Sequence, residues 1–404
     1  MSVLGENMLP LVSFLPLVNA QHAVCAILPQ TSTEDGAQVL KLCLHLQASG
    51  SLAKLQAIRL CLPMHTLSLQ DFPVSLIEDS NFIFSVPRSR LQDDSAALQV
   101  FERQLQDFAL RSYAANATRT LENPKRLVSD ELFSGRSQAA KLSAVNQLPV
   151  TPTWLTMASN LPDMTHFYLA RERGFDLFSG DFAFDAKQGV HSRDLRTQTL
   201  LLQLLKLVAR DAETKELELV FKQDANLSFM LLKMVRTAAF ARAVKVASYT
   251  QAISMLGRRQ LQRWLQMLLY AGAETAGVAH HPLMLRAAFR AAMMEGLMKK
   301  LEQDCQQQDG AFMVGMFSLL DLLFAMPMQE IIPSLNLPES LEQALLNRSG
   351  LMGACLNLVE QADRIHNRAD LDVENLLNQA QCSSEDYYRL LMQAYAWVAQ
   401  LGQI

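Results

Sequence analysis

Hydrophobic positions in this chain follow two different rhythms. Up to about residue 190, short apolar or β-rich runs bounded by turn residues alternate with stretches of helical spacing. The runs are Leu11–Leu17, Ala23–Leu28, Ala57–Leu62 and Asn81–Val86, and the helical stretches are Gly36–Leu46 and Ala96–Leu110. Strand–helix alternation predicts an α/β unit with parallel strands. Pro16 interrupts the first run, and the pattern alone sets no strand count. FDLFSGDFAF at Phe175–Phe184 ends this half, and the more polar, glycine-containing Ala186–Asp194 reads as a linker.

Beyond the linker the rhythm is helical. Leu195–Ala209 is leucine-dense, and Lys215–Phe221 leads into Asp224–Gly272, which predicts three amphipathic helices. Leu227, Leu231, Met234 and Ala238 share a face of the first. The second opens at Ser248, whose hydroxyl is placed to accept from the backbone at Gln251. It closes at Leu256 and Gly257, where glycine can take the left-handed conformation that ends a helix. Leu261, Trp264, Leu265 and Leu268 line the third. Further helices are expected at Pro282–Gln303, Phe312–Ala325, Leu341–Leu346, Met352–Ala362, Val373–Ala380 and Glu385–Gln400, punctuated by Pro327, Pro333, Pro338 and Gly350. No fixed-period repeat or low-complexity tract is present. The expected organisation is two domains, at 1–190 and 195–404.

Composition supports folding throughout: 50% of the 404 residues are hydrophobic and 19% charged. The net charge of −4 excludes a protein that is basic overall, so nucleic-acid binding would need a local patch. Six cysteines, Cys25, Cys43, Cys61, Cys305, Cys355 and Cys382, occur without a C-x-x-C pair. That spacing fits reduced thiols better than a disulfide frame or zinc site. Met8–Leu17 is apolar but follows Glu6 and lacks a basic region, so no signal peptide is expected. No run is long enough to span a bilayer. A cytoplasmic location follows, with no membrane partner.

One charge asymmetry stands out. Between Ala225 and Gly272 there are seven cations, Lys233, Arg236, Arg242, Lys245, Arg258, Arg259 and Arg263, and no Asp or Glu. They are either a solvated set paired with acids elsewhere, such as Glu216, Glu218 or Asp224, or a docking surface for carboxylates or phosphates. A DNA-reading helix–turn–helix is weakly supported, because the helices lack a recognisable recognition pattern. The Met230, Met234, Met255 and Met267 positions read as core. His280 and His281 have no Cys or carboxylate at a metal-binding spacing and read as a helix start or loop. His22, His45, His65, His166, His191 and His366 are isolated. There is no Gly-rich phosphate loop and no G-x-S-x-G elbow.

Several segments of the second half resemble the HDOD domain, a divergent relative of the HD phosphohydrolases. The resemblance is carried by Asp224-Ala225-Asn226-Leu227-Ser228, the LLKMVRTAAF helix, and Ala252–Gly257 followed by RRQLQRWLQMLL. Farther on it is carried by Phe312–Asp321, Met326-Pro327-Met328, Leu345–Gly350 and Ala394–Trp397, which resemble a subgroup in which the HDOD domain follows an EAL domain. Arg236-Thr237 stands where the family usually has Asn-Ser, and Asp224-Ala225 replaces Asp-Pro. The metal-binding His-Asp dipeptide that names the HD family does not occur in the chain.

The resemblance implies that the first half is a degenerate EAL domain, a TIM-barrel-like fold whose active members hydrolyse cyclic di-GMP. That chemistry requires carboxylates to hold divalent cations. Ala26 and Gln30 stand in for the glutamate and arginine of the E-x-L-x-R signature. Arg111 and Ser112 stand in for paired aspartates. Lys141 keeps the family's lysine, but Ser143 replaces its aspartate. Ser159 lies near a later glutamate position, and Ser179 replaces the glutamine of a Q-G motif. Alanine and arginine bring no oxygen to a hard cation, and the serines bring none of the carboxylates' negative charge. The expectation is therefore α/β plus all-α, without catalysis, cofactor or metal. Such a protein would act as a cytoplasmic bacterial regulator that binds other signalling proteins, linked to cyclic di-GMP pathways, motility or surface behaviour. The alternatives are a residual cyclic di-GMP phosphodiesterase, or a nucleotide or nucleic-acid sensor using the basic stretch.

Overall fold

The computed structural model describes residues 13–30, 36–55, 58–63, 82–87, 127–132, 155–184, 195–224, 227–228, 230–231, 234–235, 249–270, 282–335, 337–363 and 373–401. The chain forms two compact units, Met1–Asp185 with Asn357–Ile404, and Ala186–Leu356. The expected domain at 195–404 and the second unit thus differ at the C-terminus, where residues 357–404 cluster with the first unit.

In the first unit, strands β1 (Ser13–Val18), β2 (Val24–Gln30), β3 (Arg59–Pro63), β4 (Phe82–Pro87), β5 (Leu127–Leu132), β6 (Leu155–Leu161) and β7 (Leu177–Gly180) close a barrel. From β2 to β7 every neighbouring pair is parallel. The first strand is the exception: it runs antiparallel to both β2 and β7, meeting β7 only at Val18 and Phe178. A tight turn makes this possible. Asn19 Oδ1 accepts from the backbone N–H of Gln21 and Ala23 at 2.9 and 3.0 Å, and His22 takes φ 62°. Parallel neighbours need longer crossovers; helix α1 (Gly36–Ala48) lies between β2 and β3, and α2 (Met164–Glu172) between β6 and β7.

Strand alternation sorts the side chains into two layers. Leu15, Leu17, Ala26, Leu28, Cys61, Met157 and Leu177 form one buried cluster. Only the lumen brings residues of β3 and β7 together, so these positions face inward. Phe178 points the other way and packs on Phe167 of α2 at 4.7 Å between ring centres, with Phe182 stacked on the same ring at 4.9 Å. Gly180 has φ 138°, and a Cβ there would lie 2.3 Å from the backbone nitrogen of Leu161, its register partner on β6. Glycine is required by both the dihedral and the strand contact.

The second unit is helical: α3 (Leu195–Ala209), α4 (Thr214–Phe221), α5 (Tyr249–Leu256), α6 (Arg258–Tyr270), α7 (Pro282–Lys300), α8 (Cys305–Phe317), α9 (Leu320–Phe324), α10 (Met328–Leu335), α11 (Glu339–Asn347) and the start of α12 (Gly350–Ala362). The chain continues into α13 (Val373–Gln379) and α14 (Ser384–Leu401). Gly257 takes φ 78° and ends α5 as expected. The helix expected over Phe312–Ala325 is instead two, α8 and α9, separated at Ser318 and Leu319. The helix expected at Ala96–Leu110 lies outside the described residues.

The core of this unit is the α7–α8 hairpin, whose four-residue link enforces an antiparallel pair. α7 is buried on nearly every side, as a helix that is hydrophobic all round should be. At Gly315 the two helices touch through their backbones: a Cβ there would lie 2.4 Å from the Cα of Ala291. Beside that contact, Arg290 is 2% exposed and donates from Nη1 to Ser318 Oγ at 3.2 Å. Ser318 in turn donates to the Gly315 carbonyl at 2.8 Å, and the Tyr270 hydroxyl to the Met316 carbonyl. These donors satisfy carbonyls that the end of α8 leaves open.

The contact at Gly315 yields a test. Alanine is about 1 kcal/mol better than glycine in a helix interior, whereas overpacking a tight core costs about 1–3 kcal/mol. The clash is with main chain, which cannot rotate away, so overpacking wins. Gly315→Ala should lower the unfolding free energy by about 1–2 kcal/mol in a denaturant titration of the intact chain.

Candidate functional site

Two places were marked by the sequence, the basic stretch and the barrel lumen. In the basic stretch, Lys233, Arg236, Arg242 and Lys245 lie outside the described residues. Arg258, Arg259 and Arg263 are on α6, whose apolar face buries Leu261, Trp264, Leu265 and Leu268. The one-turn spacing of Arg259 and Arg263 places their guanidinium groups side by side.

Both groups converge on the same two carboxylates. Arg259 Nε lies 2.6 Å from Asp309 Oδ1 of α8, and its Nη2 lies 3.1 Å from Glu295 Oε1 of α7. Arg263 Nη2 bonds Glu295 and lies 3.2 Å from Asp309. The Arg263 guanidinium also sits 4.4 Å above the ring of Phe312, one turn beyond Asp309. Burial alone would make Arg259 easier to deprotonate; the Asp309 and Glu295 carboxylates outweigh it and hold its pKa above the ordinary arginine value. Arg258 turns to the α3–α4 connection, with Nε 2.9 Å from Asp211 and Nη2 donating to the Ala212 carbonyl. Asp211 takes φ 55°, so this arginine fastens a left-handed turn.

The described arginines of the expected docking face are thus paired within the fold. The acids proposed from sequence are engaged elsewhere. Glu216 pairs with Arg210 at 2.5 Å, and Glu218 pairs with Lys222 at 2.6 Å while accepting from Thr250. Lys222, followed by Thr250, holds the Glu218 carboxyl below its ordinary pKa. Asp224 accepts from the Thr197 hydroxyl at 2.7 Å and from the Leu227 N–H at 3.0 Å.

In the barrel, Ala26 lies in the lumen cluster. Ser159 and Ser179, each two residues beyond a lumen residue of its own strand, are 4% and 1% exposed. Ser179 Oγ has no hydrogen-bond partner, nor does Ser13 Oγ on β1. Gln30 is the last residue of β2, paired in register with Ser13. Arg111, Ser112, Lys141 and Ser143 lie outside the described residues, as do His65, His191, His280, His281 and His366. His166 Nδ1 lies 2.7 Å from Asp163, the N-cap of α2. His22 packs against Phe167 at 4.7 Å. Among the described residues no group of three or more His, Cys, Asp or Glu is placed to hold a metal, and no helix is long and apolar enough to cross a membrane. The cysteines are free thiols; burial pushes that of Cys43 up to about 12, while Cys305 is exposed.

Comparison with known proteins settles the helical region. The HDOD domain model matches residues 197–344. The chain carries an HDOD domain. This domain spans α3 through α11 and so contains both the α7–α8 hairpin and the paired arginines. Among curated proteins, the chain is similar to the uncharacterized protein YuxH of Bacillus subtilis, with 25% identity over 61% of this chain and 59% of that protein. It is also similar to a protein named cyclic di-GMP phosphodiesterase CdgJ from Vibrio cholerae, with 25% identity over 61% of this chain and 56% of that one. The chain therefore spans somewhat over half the length of these relatives. A solved structure titled PaMucR phosphodiesterase, cyclic di-GMP complex, aligns at 16% identity over 43% of this chain and 94% of its own, with a TM-score of 0.26.

The paired arginines generate a stability prediction. Partly exposed ion pairs are each worth about 0.2–1 kcal/mol, and a cation–π contact contributes about 0.5–1 kcal/mol. Arg263→Ala should therefore cost about 1–2 kcal/mol of stability, with part of the loss screened away in 1 M salt. A double-mutant cycle with Asp309→Ala, read by denaturant unfolding, should return a favourable coupling; strict additivity would show the pair contributes nothing.

Proposed function

We propose that this is a non-catalytic regulatory protein that acts by binding other signalling proteins, in the setting of cyclic di-GMP signalling, motility or surface behaviour. In this reading the barrel is a degenerate EAL domain, and the HDOD domain is a rigid helical platform for partners. The protein works in the cytoplasm without a cofactor.

The observation that carries the reading is the inner wall of the barrel. Metal-assisted attack on a phosphodiester needs carboxylate oxygens converging on a cation. Among the residues whose side chains are described, the lumen cluster carries Leu15, Leu17, Ala26, Leu28, Cys61, Met157 and Leu177, with Ser159 and Ser179 two residues along from Met157 and Leu177, while β5 brings Asp130 into register with Met157. An alanine and two serines occupy positions the EAL resemblance would assign to polar site residues, Ala26 in place of a glutamate. The helical domain likewise lacks the His-Asp dipeptide of its metal-binding relatives.

A second reading, residual cyclic di-GMP hydrolysis, is favoured by the name of the Vibrio cholerae relative. One assay separates the two. Incubated with cyclic di-GMP and Mg²⁺ or Mn²⁺, the purified chain should yield no linear dinucleotide above the buffer rate; clear turnover would overturn the non-catalytic reading. For the platform, capture from an extract of the native cells at low ionic strength should recover a defined protein partner, and failure to retain any would count against it. Charge reversal at Arg258 and Arg259 is a poor probe of that surface, because it also strips Asp211 of its cation and leaves Asp309 and Glu295 with Arg263 alone.

A further inference from the structure

The first strand of the barrel has two unmet needs. Its turn to β2 is only Asn19–Ala23, so no crossover helix follows it to cover its outer face. Its backbone is also short of donors at Phe14. Across the β1–β2 ladder Phe14 faces Pro29, which has no N–H. On the other side, the ladder to β7 is confined to Val18 and Phe178. On neither side does a strand N–H stand opposite the Phe14 carbonyl.

Both needs are met from the far end of the chain. The Tyr395 hydroxyl of α14 donates to the Phe14 carbonyl at 2.5 Å. Tyr388, two turns earlier on the same face, sets its ring edge-on to Phe14, with centres 6.3 Å apart and planes at 86°. Phe14 is 3% exposed, Tyr388 0% and Tyr395 2%. We infer that α14 is an outer-layer helix of the barrel along the β1–β2 hairpin, a strap by which residues 384–401 hold the first strand in place. Phe14 lies between Ser13 and Leu15 on β1, and Leu15 lines the lumen. The strap therefore sets the inner wall of the barrel from outside.

The intact chain provides the test, read by hydrogen exchange of peptides. Tyr395→Phe removes one hydroxyl, keeps the ring, and leaves a buried carbonyl without a donor. Exchange across residues 13–18 and 24–30 should accelerate roughly ten- to a hundredfold, while peptides from α7 and α8 keep their rates. Tyr388→Ala should give the same regional pattern. Wild-type exchange of β1 in both variants would overturn the strap, as would equal acceleration in α7 and α8.

Discussion

The helical unit depends on one backbone contact, the approach of Gly315 to Ala291. Helices that touch main chain to main chain leave no room for side chains between them, and the last carbonyls of α8 are then cut off from water. A buried carbonyl without a partner costs about 1–3 kcal/mol. The polar cluster around the contact follows from that cost: Tyr270 reaches Met316, and Ser318 reaches Gly315. Arg290 is held against Ser318. A buried guanidinium is tolerable only when hydrogen-bonded, and Ser318 is one of the partners of this one.

The ion pairs on the same hairpin have a consequence for recognition. Attraction of an anionic partner depends on the net local charge. Arg259 and Arg263 face Asp309 and Glu295 within 3.2 Å, two cations against two anions, and their summed field is small at a distance. Phe312 beneath Arg263 adds packing to the pairing. Among the described arginines of the basic stretch, Arg259 and Arg263 are mortar between α6, α7 and α8.

Much of this was legible in the pattern of residues. The first four strands fell within about two residues of expectation, α3 has the expected bounds, and Gly257 divides α5 from α6 as expected. The barrel's last strands were harder. In β6, LTMASNL, hydroxyls and an asparagine interrupt the apolar alternation. The break between α8 and α9 has no glycine or proline to announce it; it comes from the buried turn at Ser318. At the basic stretch, pairing with acids was one of the two readings open, and the acids that Arg258, Arg259 and Arg263 bind are not the ones named from sequence. Glu295 and Asp309 lie 32 to 50 residues away from the arginines they bind, and only the hairpin's packing brings them near.

The largest departure concerns where α14 belongs. Its amphipathic spacing announces a helix with a face to bury, but periodicity does not say against what. Sequence order suggested the preceding helices, and the packing chose Phe14, across a separation of 381 residues. A contact that distant closes late, since the entropy of bringing the ends together must be met first. The barrel unit has its two segments at opposite ends of the chain, and β1 cannot receive its outer cover until residues 384–401 exist. Residues 186–356 form a continuous segment with a core of its own. During synthesis that segment is free to fold before the unit that begins the chain is complete.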